Sequence, residues 1–327
     1  MLLPKDQHGC PFLILAPMEG VGDECFRAAM RSVGGFDEAV RDFLRVPKNA
    51  HVKSLAKEYL ASEMDPIPMT CQLMGSDPDL MAEMAVEIES KGAKRIDLNC
   101  GCPSNVVTGR GAGSSLLKDP SSIYEVANAM VKAVSIPVTI KMRSGYEDTT
   151  LFDENIKSAE ESGVKFITLH PRTKVDGYGP PAKWEFIARA KSLLKIPLVG
   201  NGDIKSVSDA LRMLSETKCD ALMIGRESII NPFIFHQIKA SFANTSFVPT
   251  WDKLTDYFSL YLEKIPKEIG ERGKINKMKQ LLGFFFQSNP SLQAVRSEML
   301  TLQTTSLQEF LSSAMTHLKN LWTSPNS

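Results

Sequence analysis

Short runs of β-branched and apolar residues recur along the chain at a steady interval, each followed by a stretch whose apolar positions return every three or four residues. The runs are FLILAPM from Phe12, EAVRDFLRV from Glu38, PMTCQLMG from Pro68, RIDLNCG from Arg95, PVTIKMRSG from Pro137, FITLHPRT from Phe166, PLVGNGDI from Pro197 and ALMIGRES from Ala221. Eight strand-then-helix units predict an α/β fold of the (β/α)8 TIM-barrel type over residues 1–243. The helix between the third and fourth runs is punctuated for its ends, with Asp77 as cap, Pro78 in the first turn and Gly92 closing it. After 243 the runs stop. Helical spacing continues at about 250–270, 272–287, 291–301 and 305–321, which predicts a C-terminal all-α domain over 244–327.

In such a barrel the chemistry sits on loops after the strand C-termini. Those ends carry Pro17, Met18 and Glu19, then Gln72, then 99–102, then Lys141 and Arg143, His170 and Arg172, Asn201, Gly202 and Asp203, and Gly225 and Arg226. A core needs no such ring of polar groups. The loops after strands seven and eight are the usual phosphate-holding positions, and Gly202, Gly225 and Arg226 suit an anion there. Lys141, at the end of strand five, points an ammonium into the barrel mouth, and beside the N1 and O2 edge of a flavin it would stabilise the anionic reduced ring. Gln72 both donates and accepts, as the flavin N3 and O4 edge requires, though alone it is weak evidence. His170 fits a satisfied barrel histidine as readily as a cofactor contact.

Composition bounds the reading without directing it. A chain of 327 residues with 43% hydrophobic and 23% charged content can bury a sizeable core. The formal charge is zero, so a nucleic-acid partner has to rest on a local basic surface. The segment 263–279 offers one, with Lys264, Lys267, Arg272, Lys274, Lys277 and Lys279 against three glutamates. The barrel rim, near Arg110, Arg143 and Arg172, is the other place for it. The six cysteines are too sparse for a disulfide framework and lack the CxxC spacings of a zinc site, so no metal is expected. No apolar run is long enough to span a bilayer and no secretory layout opens the chain, so a cytoplasmic protein is expected.

Two of the cysteines, Cys100 and Cys102, stand one residue apart before Pro103 at the end of strand four. The chain turns at Gly101, so alternation along the strand leaves open which thiol faces the barrel mouth. The run TGRGAGSS beyond it has little side-chain bulk and would let a large planar group approach.

LAPMEGV at Leu15, QLMG at Gln72, DLNCGCPSNVVTGRGAGSSLLKDP from Asp97, KMRSG at Lys141, HPRT at His170, NGDI at Asn201 and MIGR at Met223 resemble, in order, the motifs of the tRNA-dihydrouridine synthase family. The NCGCPS form is most similar to its DusC branch. The resemblance implies an FMN enzyme, with NADPH as reductant, that reduces the C5–C6 double bond of a tRNA uridine. The DusC likeness hints at position sixteen of the D-loop. It implies that the cysteine directly before the proline, Cys102, protonates the uracil, and that Cys100 packs at the strand end. It implies FMN contacts from Pro17, Met18, Glu19, Gln72, Lys141, His170, Asn201, Gly202, Asp203, Gly225 and Arg226, with Asn99, Arg143 and Arg172 on the flavin and RNA side. The expected partners are tRNA and NADPH, with no membrane, no metal and a monomeric chain. Where relatives often carry Thr or Ser followed by Glu near the end of strand two, this chain has Arg41 and Asp42. The residues fit that chemistry, since a thiol with a pKa of about 8.5 is mostly protonated at neutral pH and can act as an acid. An FMN barrel oxidoreductase acting on a small molecule such as a dihydroorotate is the alternative. A catalytically inactive RNA-binding protein is a further one.

Overall fold

The computed structural model describes residues 3–103, 111–179 and 181–322. The chain packs as two compact units, Met1–Pro17 with Phe36–Ile224, and Met18–Gly35 with Gly225–Ser327. The boundary read from the sequence at 243/244 therefore falls inside the second unit. A strand cadence marks where strands stop, whereas the units follow the buried faces of helices.

The first unit is the barrel. Its strands are β1 (Phe12–Leu15), β2 (Glu38–Val40), β3 (Met69–Met74), β4 (Ile96–Cys100), β5 (Val138–Gly145), β6 (Ile167–Thr173), β7 (Leu198–Asn201) and β8 (Ala221–Ile224). Each pairs in parallel with the next, and β1 pairs with β8 from Phe12↔Ala221 to Leu15↔Ile224, which closes the sheet. All eight expected runs contain a strand. The second is shorter than its run: β2 ends at Val40 and only Leu44–Arg45 pairs again, against Leu73 and Met74 of β3. Arg41 accounts for the break. Its buried guanidinium donates to the carbonyls of Asp42, at 3.0 Å, and Glu58, at 2.5 Å, bracing the chain where it leaves the strand.

Helix α1 (Glu24–Val33) follows β1 and belongs to the second unit. In the barrel, α2 (Pro78–Ser90), α3 (Pro120–Ala133), α4 (Phe152–Glu161), α5 (Glu185–Leu193) and α6 (Val207–Thr217) follow β3 to β7. Asp77 caps α2 by accepting from Leu80 N–H at 3.1 Å, and Gly92 beyond it has φ +88°. Barrel strands are covered on both faces, so they are apolar throughout except where the interior is polar. Ile14, Val40, Phe166, Val199, Ala221 and Met223 form one apolar cluster of this core.

The second unit contains α1, α7 (Ile234–Phe242), α8 (Trp251–Lys264), α9 (Glu271–Phe285), α10 (Pro290–Thr301) and α11 (Leu307–Leu321). Thr250, Asn289 and Ser306 cap α8, α10 and α11 through their side chains. The first tail helix, expected over 250–270, stops at Lys264, because Ile265 precedes Pro266 and such a residue is pushed out of the helical region. Phe258 meets Phe285 edge-on with centroids 5.1 Å apart, in a core that also buries Tyr257, Tyr261 and Phe310. Among the described residues no helix is long and apolar enough to cross a membrane.

Candidate active site

Strand β4 decides what the barrel interior contains. Successive strand residues point to opposite faces, and Asp97 and Asn99 both bond to residues of neighbouring strands, so they share the inner face and Cys100 takes the outer one. Cys100 is fully buried, and that burial pushes its thiol well above the usual range. The inner face is polar. Asp97 accepts from Gln72 Nε2 at 2.7 Å and from Thr139 Oγ1 at 2.6 Å, and Thr139 Oγ1 accepts from Arg95 at 2.5 Å. Arg95 also donates to Glu38 at 3.1 Å and lies over the Phe166 ring, 4.7 Å from its centroid. Glu38 in turn accepts from Thr70. Buried charges are stable only when paired in this way.

The network rises to Cys102. Asn99 donates to Gln72 Oε1 at 2.8 Å, while its own Oδ1 accepts from Gly101 N–H and Cys102 N–H, each at 2.9 Å. Arg143 Nε donates to Gly101 carbonyl at 2.8 Å, and Ser114 Oγ to Cys102 carbonyl at 2.8 Å. Every backbone polar group of Gly101 and Cys102 is thus held by a side chain, which fixes where the Cys102 side chain starts. Cys102 is 7% exposed and packs with Met74, Ala112 and Phe43. Residues 104–110, including Arg110 and part of the glycine-rich run, lie outside the described residues.

Lys141 pairs with Asn99 in the β4–β5 register and makes no side-chain hydrogen bond among the described residues. Burial pulls its ammonium down to about 8, the nearby Arg143 adds to this, and Asp97 opposes it. Arg143 is itself buried and also donates to the carbonyls of Thr173, at 2.8 Å, and Gly177, at 2.9 Å. The β5–β6 register shifts between Arg143↔His170 and Gly145↔Thr173, so one extra residue sits on β6 around Pro171, which cannot donate to the ladder. This bulge puts His170 and Arg172 at the strand end. Arg172 donates to Asp203 Oδ2 at 2.7 Å, and Ala182 N–H to the same oxygen at 2.8 Å. Burial works against the Asp203 charge, but these bonds outweigh it and hold the carboxyl below the usual range. Gly202 has φ +113°, and a Cβ there would lie 3.3 Å from the His170 ring and 3.2 Å from Pro171, so the turn needs glycine. Trp184 Nε1 donates to Gly202 carbonyl at 3.0 Å, and Asn201 donates to Met223 carbonyl at 2.8 Å.

Of the remaining expected residues, Pro17 ends the first segment of the barrel unit, and Met18, Glu19, Gly225 and Arg226 belong to the second unit. Met18 carbonyl accepts from Gly22 N–H at 2.6 Å in a tight turn, and Glu19 is exposed. Gly225 carbonyl accepts from Ser228 at 2.8 Å, and Arg226 is exposed at the start of the one-turn helix Glu227–Ile230. The basic tail residues divide. Lys277 pairs with Asp23, and Lys279 donates to Leu302 carbonyl and lies over the Phe310 ring, whereas Lys264, Lys267 and Arg272 are exposed. Among the described residues no group of three or more His, Cys, Asp or Glu side chains is placed to hold a metal. Sequence reasoning missed Arg95, Asp97, Thr139, Phe43 and Ser114. The signal for the first two was present, since RIDLN puts Arg95, Asp97 and Asn99 on one face of an otherwise apolar strand.

The family model described as dihydrouridine synthase (Dus) matches residues 14–320. A "tRNA-dihydrouridine(16) synthase" of Neisseria meningitidis serogroup B is 33% identical over 304 residues, covering 89% of this chain and 90% of the relative. One from Shewanella oneidensis is 39% identical over 254 residues, covering 75% and 80%. One from Pseudomonas syringae pv. tomato is 39% identical over 251 residues, covering 74% and 79%. A solved 2-naphthoyl-CoA reductase complex resembles 71% of the chain and 50% of its own with a TM-score of 0.54 at 13% identity, a likeness of fold alone. With a closed eight-stranded barrel, the NCGCP stretch at the end of β4 and a family match over residues 14–320, the chain belongs to the dihydrouridine synthase family.

Proposed function

We propose that this protein reduces the C5–C6 double bond of a uridine in tRNA to 5,6-dihydrouridine, with FMN as cofactor and NADPH as reductant. The relatives named tRNA-dihydrouridine(16) synthases support the reaction and point to position sixteen. The observation that carries the cofactor reading is Lys141, a half-buried ammonium on the inner face of β5 without a hydrogen-bond partner among the described residues. Such a cation fits an anionic ring system held across the barrel mouth. The other proposed FMN contacts, carried over from the family motifs, are Pro17, Met18, Glu19, Gln72, His170, Asn201, Gly202, Asp203, Gly225 and Arg226.

FMN, when bound and reduced, supplies the hydride for C6 of the uracil. Cys102 supplies the proton for C5, so hydride and proton together saturate the bond. Its side chain packs against Met74, Ala112 and Phe43, and its backbone is held on both sides. Asn99, Arg143 and Arg172 line the flavin and RNA side, with Arg143 also tying the Cys102 loop to the β6 loop. The target base has to leave its stack to reach a buried thiol, which favours an unpaired loop nucleotide. The tail helices supply the RNA platform through Lys264, Lys267 and Arg272. The chain works as a cytoplasmic monomer with its cysteines reduced. Purified protein is expected to carry noncovalent FMN, read from its visible absorbance and the mass of the released cofactor. A colourless protein that takes up no added FMN would refute the reading.

A further inference from the structure

The hydrogen bonds below Cys102 converge on Asp97 from both sides. An aspartate offers only acceptors, while a guanidinium and a backbone N–H offer only donors, so the acceptor in the middle and the donors at the two ends fix the direction of everything between them. Arg95 donates to Thr139, which obliges Thr139 to give its own proton to Asp97. Asp97 Oδ2 then requires the N–H end of the Gln72 amide, which turns Gln72 Oε1 toward Asn99. Asn99 must present its N–H to Gln72, and its oxygen is left facing Gly101 N–H and Cys102 N–H. Asp97 and Gln72 are buried, at 1% and 0% exposure, so water does not substitute for these partners.

We infer that Asp97 is a positioning residue: through the amides of Gln72 and Asn99 it sets the orientation that clamps the backbone of Cys102 at the barrel mouth. The inference rests on the reading of Cys102 as the proton donor for its catalytic meaning, but not for its physical content. Reversing the polarity at Asp97 should propagate. With Asp97→Asn, Thr139 keeps the new amide oxygen, the new N–H faces Gln72, and Gln72 turns over. Asn99 turns in its wake and sets an N–H against the amides of Gly101 and Cys102. Asp97→Asn combined with Gln72→Glu restores the pattern, because a carboxylate at 72 accepts from both sides and Asn99 returns to its original orientation. Total charge is unchanged in the pair.

The test is the rate at which iodoacetamide alkylates Cys102 in the full-length protein, read by peptide mass spectrometry with the other five cysteines as internal controls. Asp97→Asn is expected to raise that rate about tenfold, the effect of one lost hydrogen bond on a local opening, without raising it at Cys100. The double variant is expected to return it to the wild-type rate. A role for Asp97 in folding alone predicts that the double variant is no better than the single one. Equal rates in all three proteins, or a double variant as reactive as the single, overturns the inference. If the single variant does not fold, the double variant decides: folded with a wild-type rate supports the inference, and unfolded overturns it. The catalytic reading is tested separately, since active Cys102→Ala protein would refute the acid assignment and leave the alkylation result standing.

Discussion

Cys100 and Cys102 share a turn and differ in surroundings. The first points into the helix layer, where burial pushes its thiol far up, and the second lies beyond the strand end, packed with Met74, Ala112 and Phe43 and with its backbone held by Asn99 and Ser114. Cys102→Ala is expected to lower dihydrouridine formation by about 10²- to 10⁴-fold, the range for a lost general acid, while FMN content and NADPH oxidation persist. Cys100→Ala is expected to cost far less, and the opposite ranking in a tRNA reduction assay would move the acid to Cys100. Lys141 gives a prediction in pH. Its folded value of about 8 lies below the ordinary 10.5, so between these values the unfolded chain holds a proton that the folded one lacks. Stability should therefore rise with pH across that window, with the penalty fully present below about 8. In urea unfolding of the flavin-free protein, Lys141→Met is expected to remove this rise, and an unchanged profile would show that Lys141 is not desolvated. The sequence left the choice of thiol open because alternation is lost where a strand turns. That Cys100 takes the outer face became legible only once Asp97 and Asn99 were seen to bond to neighbouring strands.

At the level of elements, the strand cadence was legible because barrel strands must be apolar and regularly spaced, and the caps because orphan helix amides need a side-chain acceptor. Asp77 fulfilled that expectation, and Asp77→Ala is expected to lower stability by about 1 kcal/mol in denaturant titration. The break after β2 was not legible. Whether Arg41 continues a strand or turns to brace Glu58 depends on a carbonyl 17 residues away in sequence. The basic run of the tail was legible as composition but not as surface, because helical phase and distant partners decide which charges reach water. Lys277 and Lys279 are occupied, so replacing them should affect stability, whereas neutral replacements at Lys264, Lys267 and Arg272 should weaken tRNA binding. Each of those three that contacts phosphate should lower the log–log salt slope of binding by roughly 0.7 to 0.9. An unchanged slope in the triple variant would remove the RNA platform from these three residues.

For the whole molecule, two units carry one set of family motifs, with LAPMEGV and MIGR each divided between them. A barrel acting on a small molecule would not need a second platform, whereas the proposed tRNA substrate gives the tail a role. The reaction on tRNA is tested most directly by mapping dihydrouridine in total tRNA from cells with and without this gene. Loss of the modified base at a D-loop uridine, expected at position sixteen, and its return with the wild-type chain but not with Cys102→Ala, is the predicted result. An unchanged dihydrouridine map in cells lacking the gene, with no other enzyme of the family present, would contradict it.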